Sequence, residues 1–414
     1  MNPLHSLLSR LVLLAAVSLS VAPLAVRLTA QQPARETPEQ QLVAALNRFA
    51  ADLHGRLGAP PGDSALSSPA SVAITLLMLL PGARGETADE IAAVLHLPPD
   101  LRGERLATAA QTLLAHTLVV SAENGAALRI ANDLWGQAGR EFGADWLKQL
   151  RDAFGGDAHE VDFAKDPDGA RRRINERIAA ATNRRIVDLV PPGVITPATR
   201  TVLSNAIWYR GSWLQEFHRA DRPGAFHVTP ARAVEAAMLW ATSRYRYCET
   251  DAWQAVELPF DDDAIVFEIV LPRPGHDLAV AERALLEGKH RESLAAVDVR
   301  VGMPAFTIAG RHRLRDALTE LGLRAAFDQA RADFSGITRY EPLVLEDVIH
   351  GTFLRVDEHG VEAAAATVLV IEGRAAIRQP KVLQADRPFA FALRDRRTGL
   401  VLFAGRLIDP TIGA

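Results

Sequence analysis

The 414-residue chain has one cysteine, Cys248, so no internal disulfide framework can staple it, and its stability has to come from packing. Charge of one sign is also lacking. The formal net charge of −4 gives no global electrostatic reason to hold nucleic acid. The short signatures of common chemistry are missing too: there is no Gly-x-Ser-x-Gly elbow, no Gly-x-x-x-x-Gly-Lys loop, no His-Glu-x-x-His and no Cys-x-x-Cys pair. The histidines are scattered. Nothing in the chain supports an enzyme, a cofactor or a metal site, and no internal repeat or break in composition divides it. What is present is an apolar fraction of 48%, ample for one sizeable core.

The first thirty residues stand apart. His5 and Arg10 precede an apolar run from Leu11 to about Ala25, too short and too early for a membrane span and patterned as a secretory signal. An uncleaved N-terminal anchor is the rival reading. The expected location is therefore secreted, extracellular or periplasmic. Residues 31–40, with Pro33 and Pro38, read as a flexible lead-in, and residues 41–414 as one domain.

Within that domain the pattern predicts helices first. Leu42, Leu46, Phe49 and Leu53 recur at helical spacing, Val72 to Leu80 runs up to the breaker pair Pro81-Gly82, and Thr87 with Glu90 makes a capping box for Ile91 to Leu97. Ala127 to Leu134 is a strand candidate, and Asp145 to Phe154 a helix. Ile174, Ile178 and Ala181 give a further helix its buried face. Its other side carries Arg171, Arg172, Arg173 and Arg177, a cluster that suits either a polyanion or, more simply, a solvated helix face. Strands follow: Thr201 to Tyr209, Ala255 to Leu258, Ile265 to Leu271, Val297 to Val301, Leu343 to Leu345, Phe389 to Leu393 and Leu400 to Gly405, with a helix over His312 to Leu321. Asp261, Asp262 and Asp263 read as an exposed hairpin turn, since three successive acids do not converge on a cation without other oxygen ligands.

The segment from Glu358 to Gln379 is locally divided. Glu362 to Ala366 favours helix, and the β-branched run from Thr367 to Ile371 favours strand. As a strand, one face carries Val361, Ala363, Ala365, Thr367, Leu369 and Ile371, uncharged and small at its start, and the other carries Glu362, Ala364, Ala366, Val368, Val370 and Glu372. Such a face can be buried late in a sheet without stranding a charge. A short Ala-rich helix beside an apolar strand fits the composition as well.

Glu358-His-Gly-Val-Glu-Ala-Ala-Ala-Ala-Thr367 resembles the reactive-loop hinge of the serpins. The resemblance extends through Ser68-Pro-Ala-Ser71, Gly82-Ala-Arg-Gly-Glu-Thr87, Thr201-Val-Leu-Ser-Asn-Ala-Ile-Trp-Tyr-Arg-Gly-Ser-Trp213, Ala385-Asp-Arg-Pro-Phe-Ala-Phe391 and Gly399-Leu-Val-Leu-Phe-Ala-Gly-Arg406, in the family's order. It implies an α+β fold with a large central sheet, further sheets, surrounding helices and an exposed reactive-centre loop. The implied function is suicide-substrate inhibition of a serine protease. The protease cuts the loop and forms an acyl-enzyme, and the freed hinge inserts as a new central strand. Counting as the family does, fourteen residues beyond Gly360, places the reactive bond at Arg374-Ala375, with Arg378 a competing basic site four residues off register. An arginine there suits a trypsin-like primary pocket. Ser68, Ser71, Asn205 and His350 match positions that hydrogen-bond beneath the sheet where it opens, and Trp213 matches the aromatic at the point of first insertion. Read without the family, these are satisfied core polar groups.

The chain departs from the family at two positions. His359 replaces a frequent acid, and Ala305 stands where a lysine often pairs with the acid corresponding to Glu358, which implies another cation or packing as the control on loop entry. The implied partner is a trypsin-like protease met by a monomer. A non-inhibitory carrier or chaperone is the nearest alternative, opposed by the small residues Ala363 to Ala366, and an undetected hydrolase or membrane-associated structural protein is a third.

Overall fold

Thr37 opens the first helix through a capping box. Its hydroxyl accepts from the Gln40 amide while the Gln40 side chain accepts from the Thr37 amide, and α1 (Pro38–Arg56) follows with Pro38 in its first turn. The helix thus starts inside the stretch expected to be lead-in, because that reciprocal cap satisfies amide groups that would otherwise need water. The computed structural model describes residues 36–57, 62–118, 126–139, 141–338, 342–362 and 379–412. The expected signal segment, Ala363 to Thr367 of the hinge and the Arg374-Ala375 bond lie outside them.

The other helices among the described residues are α2 (Pro69–Leu79), α3 (Gly85–Val94), α4 (Gly103–Leu118), α5 (Ala144–Phe154), α6 (Pro167–Ala181), α7 (Leu278–Glu287) and α8 (Arg315–Glu320). The strands are β1 (Ala65–Ser67), β2 (Ala127–Gln137), β3 (Asp157–Val161), β4 (Thr201–Ser212), β5 (His218–Arg219), β6 (Gly224–Thr229), β7 (Arg232–Ala236), β8 (Met238–Glu249) and β9 (Trp253–Pro259). They continue with β10 (Ile265–Pro272), β11 (Ala295–Pro304), β12 (Phe306–Arg313), β13 (Asp347–Val356), β14 (Gly360–Val361), β15 (Lys381–Gln384), β16 (Phe389–Asp395) and β17 (Val401–Leu407).

Two large sheets organise the molecule. One has six strands in the order β12-β13-β14-β4-β2-β3. The other has nine, ordered β1-β17-β16-β10-β9-β8-β11-β15 with β5 paired to β8, and β6 and β7 make a separate hairpin. Helix α2, apolar all round, has every residue buried and packs against both β4 and β17, as expected of a helix that has no solvent face. On the other face of the six-stranded sheet, α6 and the linker after it bury Ile174, Ile178, Ile186, Leu189 and Val190 with Val202, Ala206 and Ile349. Trp135 and Phe163 complete this second core. No described helix is long and apolar enough to cross a membrane.

Three local expectations are corrected. Thr87 is not a cap: α3 starts at Gly85, Thr87 lies buried within it and accepts from the Asp333 amide, and Glu90 instead accepts from the Arg324 and Ala325 amides. A tertiary partner has taken each group of the apparent capping box. Leu343 and Leu345 are buried but precede the strand, which starts at Asp347. His312 lies within strand β12, and the helix starts only at Arg315, because cross-strand pairing with His350 holds His312 extended. The Asp261 to Asp263 segment is a turn, as expected, but only Asp263 is exposed; Asp261 and Asp262 are half-buried, and the Asp262 carboxylate accepts from the Ala264 and Ile265 amides and from the Tyr209 hydroxyl. Among the described residues no group of three His, Cys, Asp or Glu is placed to hold a metal.

Candidate functional site: a strand seam and its hinge

At the centre of the six-stranded sheet, β13 and β4 run parallel and in register from Asp347 opposite Val202 to Phe353 opposite Trp208. Beyond that point they part, and β14 occupies the gap. It is antiparallel to both neighbours, with Gly360 opposite Ser212, Val361 opposite Gly211, and Val361 opposite Val356. Val361 is fully buried. Two residues of the hinge predicted from sequence, Gly360 and Val361, are therefore already seated as a strand.

Gly360 is there because nothing larger fits. A Cβ at that position would lie 2.1 Å from the Gly211 carbonyl oxygen, so the backbone of β14 approaches β4 more closely than a side chain permits. Glu362, the last described residue of the segment, lies at φ 55°, a left-handed conformation uncommon outside glycine. The chain turns there after entering the sheet.

The approach to the hinge is fixed by Trp213 and Phe217. Their backbone amides donate to the carbonyls of His359 and Glu358 at 2.9 Å each, and the Trp213 indole donates to the Asp357 carbonyl at 2.9 Å. The indole stacks on Phe260 with a centroid separation of 4.6 Å. Glu358 has a cation after all. Arg219 of β5 reaches it at 2.5 Å and holds its carboxyl below the usual range, while Ala305 makes only a backbone bond to Ala237. His359 lies 3.4 Å from the Glu216 carboxylate.

Below the seam, the polar residues singled out from sequence converge. Ser68 caps α2: its hydroxyl accepts from the Ser71 amide and donates to the Leu402 carbonyl, and its own amide donates to His350 Nε2 at 2.9 Å. With Nε2 accepting, the neutral ring carries its proton on Nδ1 and donates it to Asn205 Oδ1. Burial holds the His350 ring well below its usual pKa, as a histidine without a counter-ion in a dry site requires. The Asn205 amide nitrogen faces Ser71, Thr75 and Asn132. Asn205 and His350 are cross-strand partners across the β4–β13 seam, so their bond closes it.

Sequence reasoning missed Thr75, Asn132, Arg219, Trp208 and Arg185, which join these groups from positions with no local pattern. The arginines of α6 are engaged: Arg171 and Arg172 pair with Asp168, Arg173 donates to the Glu160 carbonyl, and Arg177 pairs with the buried Asp133. A pocket of about 840 Å³ lined by Leu77, Leu80, Leu106, Ala110 and Phe154 shares no residue with the hinge or the network beneath it.

Comparison with known proteins agrees with this architecture. Residues 44–410 match the family model of the serpins, described as serine protease inhibitors. The chain is 37% identical over 387 residues to an uncharacterized serpin-like protein of Thermococcus kodakarensis, covering 92% of this chain and 88% of that one. It is 32% identical over 350 residues to human Serpin B8, covering 83% and 92% respectively. Among solved structures, Serpin48 of the insect Tenebrio molitor, described as a highly specific serpin, superposes with a TM-score of 0.79 at 28% identity, over 91% of this chain and all of that one. Human thyroxine-binding globulin, solved in complex with thyroxine, shares the fold with a TM-score of 0.82 at 23% identity, over 91% of this chain and all of that one. The chain belongs to the serpin family, whose members are protease inhibitors in the main, and it has the serpin fold.

Proposed function

We propose that the protein is an exported suicide-substrate inhibitor of trypsin-like serine proteases, cleaved at Arg374-Ala375 and trapping the acyl-enzyme by insertion of its loop between β4 and β13. The observation that carries this reading is β14 itself: a two-residue strand wedged between two strands that are otherwise paired directly. The path for further insertion is set by its register. Extending the pairing residue by residue lays Ala363 to Ala366 along the seam and brings Thr367 opposite Asn205 on β4 and His350 on β13. Thr367 is the one hydroxyl on an otherwise apolar face, and it falls where insertion must break the Asn205–His350 bond and leave both groups in need of a partner.

The energetics favour this direction. Burying Leu369 and Ile371 contributes ~1.5 to 3 kcal/mol each, and each ladder hydrogen bond adds ~0.5 to 1.5 kcal/mol net. Over a strand of this length the sum rivals the ~5 to 15 kcal/mol by which a typical domain is stable. The small side chains of Ala363 to Ala366 and the polar closure of the seam support an inhibitor over a carrier.

The test is to mix the purified protein with trypsin and resolve the products on a denaturing gel. A covalent adduct and a released peptide whose mass begins at Ala375 are expected. Complete turnover to cleaved protein without adduct would leave the carrier reading in its place, and release of a peptide beginning at Gln379 would move the bond to Arg378.

A further inference from the structure

The Glu362 side chain is almost wholly buried, at 1% exposure, and it points to the face of the sheet opposite Val361. Its Oε2 accepts from the indole N–H of Trp208 on β4 and pairs with Arg185 at 3.0 Å. Oε1 has no hydrogen-bond partner among the described residues. Arg185 belongs to neither strand. It lies in the linker between α6 and β4, just after Asn183 and Arg184, which are both left-handed at φ 49° and 59°. The Thr182 hydroxyl accepts from the Ile186 amide and closes that turn. Three residues further on the linker lies flat on the seam: a Cβ at Gly351 of β13 would meet Leu189 at 2.8 Å and Ile186 at 3.2 Å. Asn175 of α6 fastens the far end by bonding both the amide and the carbonyl of Val190.

The linker therefore covers the line along which a new strand would enter, and Arg185 ties that cover to Glu362, the residue next to β14. We propose that Arg185 is a positioning residue that latches the seated hinge to the linker, so that the hinge and the cover of the seam move as one unit. A guanidinium suits the task, because its fork reaches a buried carboxylate while the side chain as a whole stays half-exposed. Without it Glu362 keeps the Trp208 bond and the charge of Arg355, which acts on it without an ion-pair contact, and a buried carboxylate left without its paired cation drives its segment toward solvent. Leaving the sheet would free two residues of strand and add about 7 Å to the reach of the loop.

This inference deepens the inhibitor reading but is tested apart from it. Amide hydrogen exchange over residues 357–362 of the full chain is measured for the wild type, Arg185→Met, Arg185→Lys and Trp208→Phe, together with the melting temperature and the rate of adduct formation with trypsin. In Arg185→Met, exchange of the hinge is expected to rise at least tenfold, with the melting temperature little changed and the adduct forming several-fold faster. Arg185→Lys, which keeps the charge, should stay within about threefold of the wild type. Trp208→Phe, which keeps the ion pair, should fall between them. Unchanged hinge exchange in Arg185→Met, or equal loss of protection in Arg185→Lys, would overturn the latch. A wild type that forms no adduct while Arg185→Met still exposes the hinge would overturn inhibition and leave the latch standing.

Discussion

Glu358 and Arg219 meet at 2.5 Å across the top of the six-stranded sheet, joining the approach to the hinge to β5, a strand of the nine-stranded sheet. Ala305, where the family resemblance implies a lysine partner for this acid, lies between β11 and β12 and carries no charge. In this chain the positive charge beside the acid comes from Arg219 of β5.

The pair is half-exposed, with side-chain accessibilities of 44% for Arg219 and 27% for Glu358, so its effect on stability should be small. Arg219→Met or Glu358→Gln is expected to cost no more than about 1 kcal/mol in denaturant unfolding. The dependence on pH has a sign. The Glu358 carboxyl is held below its unfolded value, chiefly by its hydrogen bond from Arg219, so this contribution is present above the unfolded pKa and fades as acid protonates the group. Identical melting temperature and identical inhibition in both variants would show the charge to be idle.

Val361 is the buried lead residue of β14. Replacing it with arginine places an unpaired cation on the core face of the seam, at a cost of several kcal/mol once buried. Val361→Arg should keep the hinge out of the sheet and turn the protein from inhibitor to substrate, seen on a gel as cleaved chain with little adduct. Adduct in wild-type yield would contradict insertion as the trap.

Asn205→Ala removes the side chain that joins β4 to His350, Ser71, Thr75 and Asn132. Leaving buried donors and acceptors unpaired costs ~1 to 3 kcal/mol for each group, so a loss of about 3 kcal/mol is expected in equilibrium unfolding. Thr75→Val, which removes one hydroxyl of the same set, should cost less. Equal stability of Asn205→Ala and the wild type would mean that the seam is closed by backbone pairing alone.

A buried ion pair in the nine-stranded sheet should contribute to the response to acid. Glu268 is fully buried with its carboxylate 2.9 Å from the equally buried Arg394, and its pKa is lowered to about 2; burial opposes this shift, and Arg394, His290 and Arg291 outweigh it. A folded pKa below the unfolded one stabilises the protein above about pH 4.5, and that stability is lost as the pH falls toward 2. Glu268→Gln strands Arg394 and should destabilise at neutral pH by ~3 to 5 kcal/mol, with a shallower decline of stability between pH 4.5 and 2. A decline as steep as that of the wild type would assign acid sensitivity to other carboxylates.

The sequence by itself determined the elements whose periodicity is complete within one segment. Leu42, Leu46, Phe49 and Leu53 gave α1 its buried stripe, Ile174 and Ile178 gave α6 its own, and the apolar runs beginning near Thr201, Ile265 and Leu400 became interior strands, because an amphipathic or apolar pattern buries only one way. Gly360 and the polar residues Ser68, Ser71, Asn205 and His350 were recognisable through resemblance to a family. Tertiary structure decided what a segment's neighbours decide. Thr87 and Glu90 have the pattern of a cap, yet amides over 230 residues away in the chain claimed them, since a buried amide must be paired wherever its partner comes from. Arg219 and Arg185 carry no local signal at all. A surface arginine is defined by what it can reach, and only the folded chain brings the carboxylates of Glu358 and Glu362 within that reach.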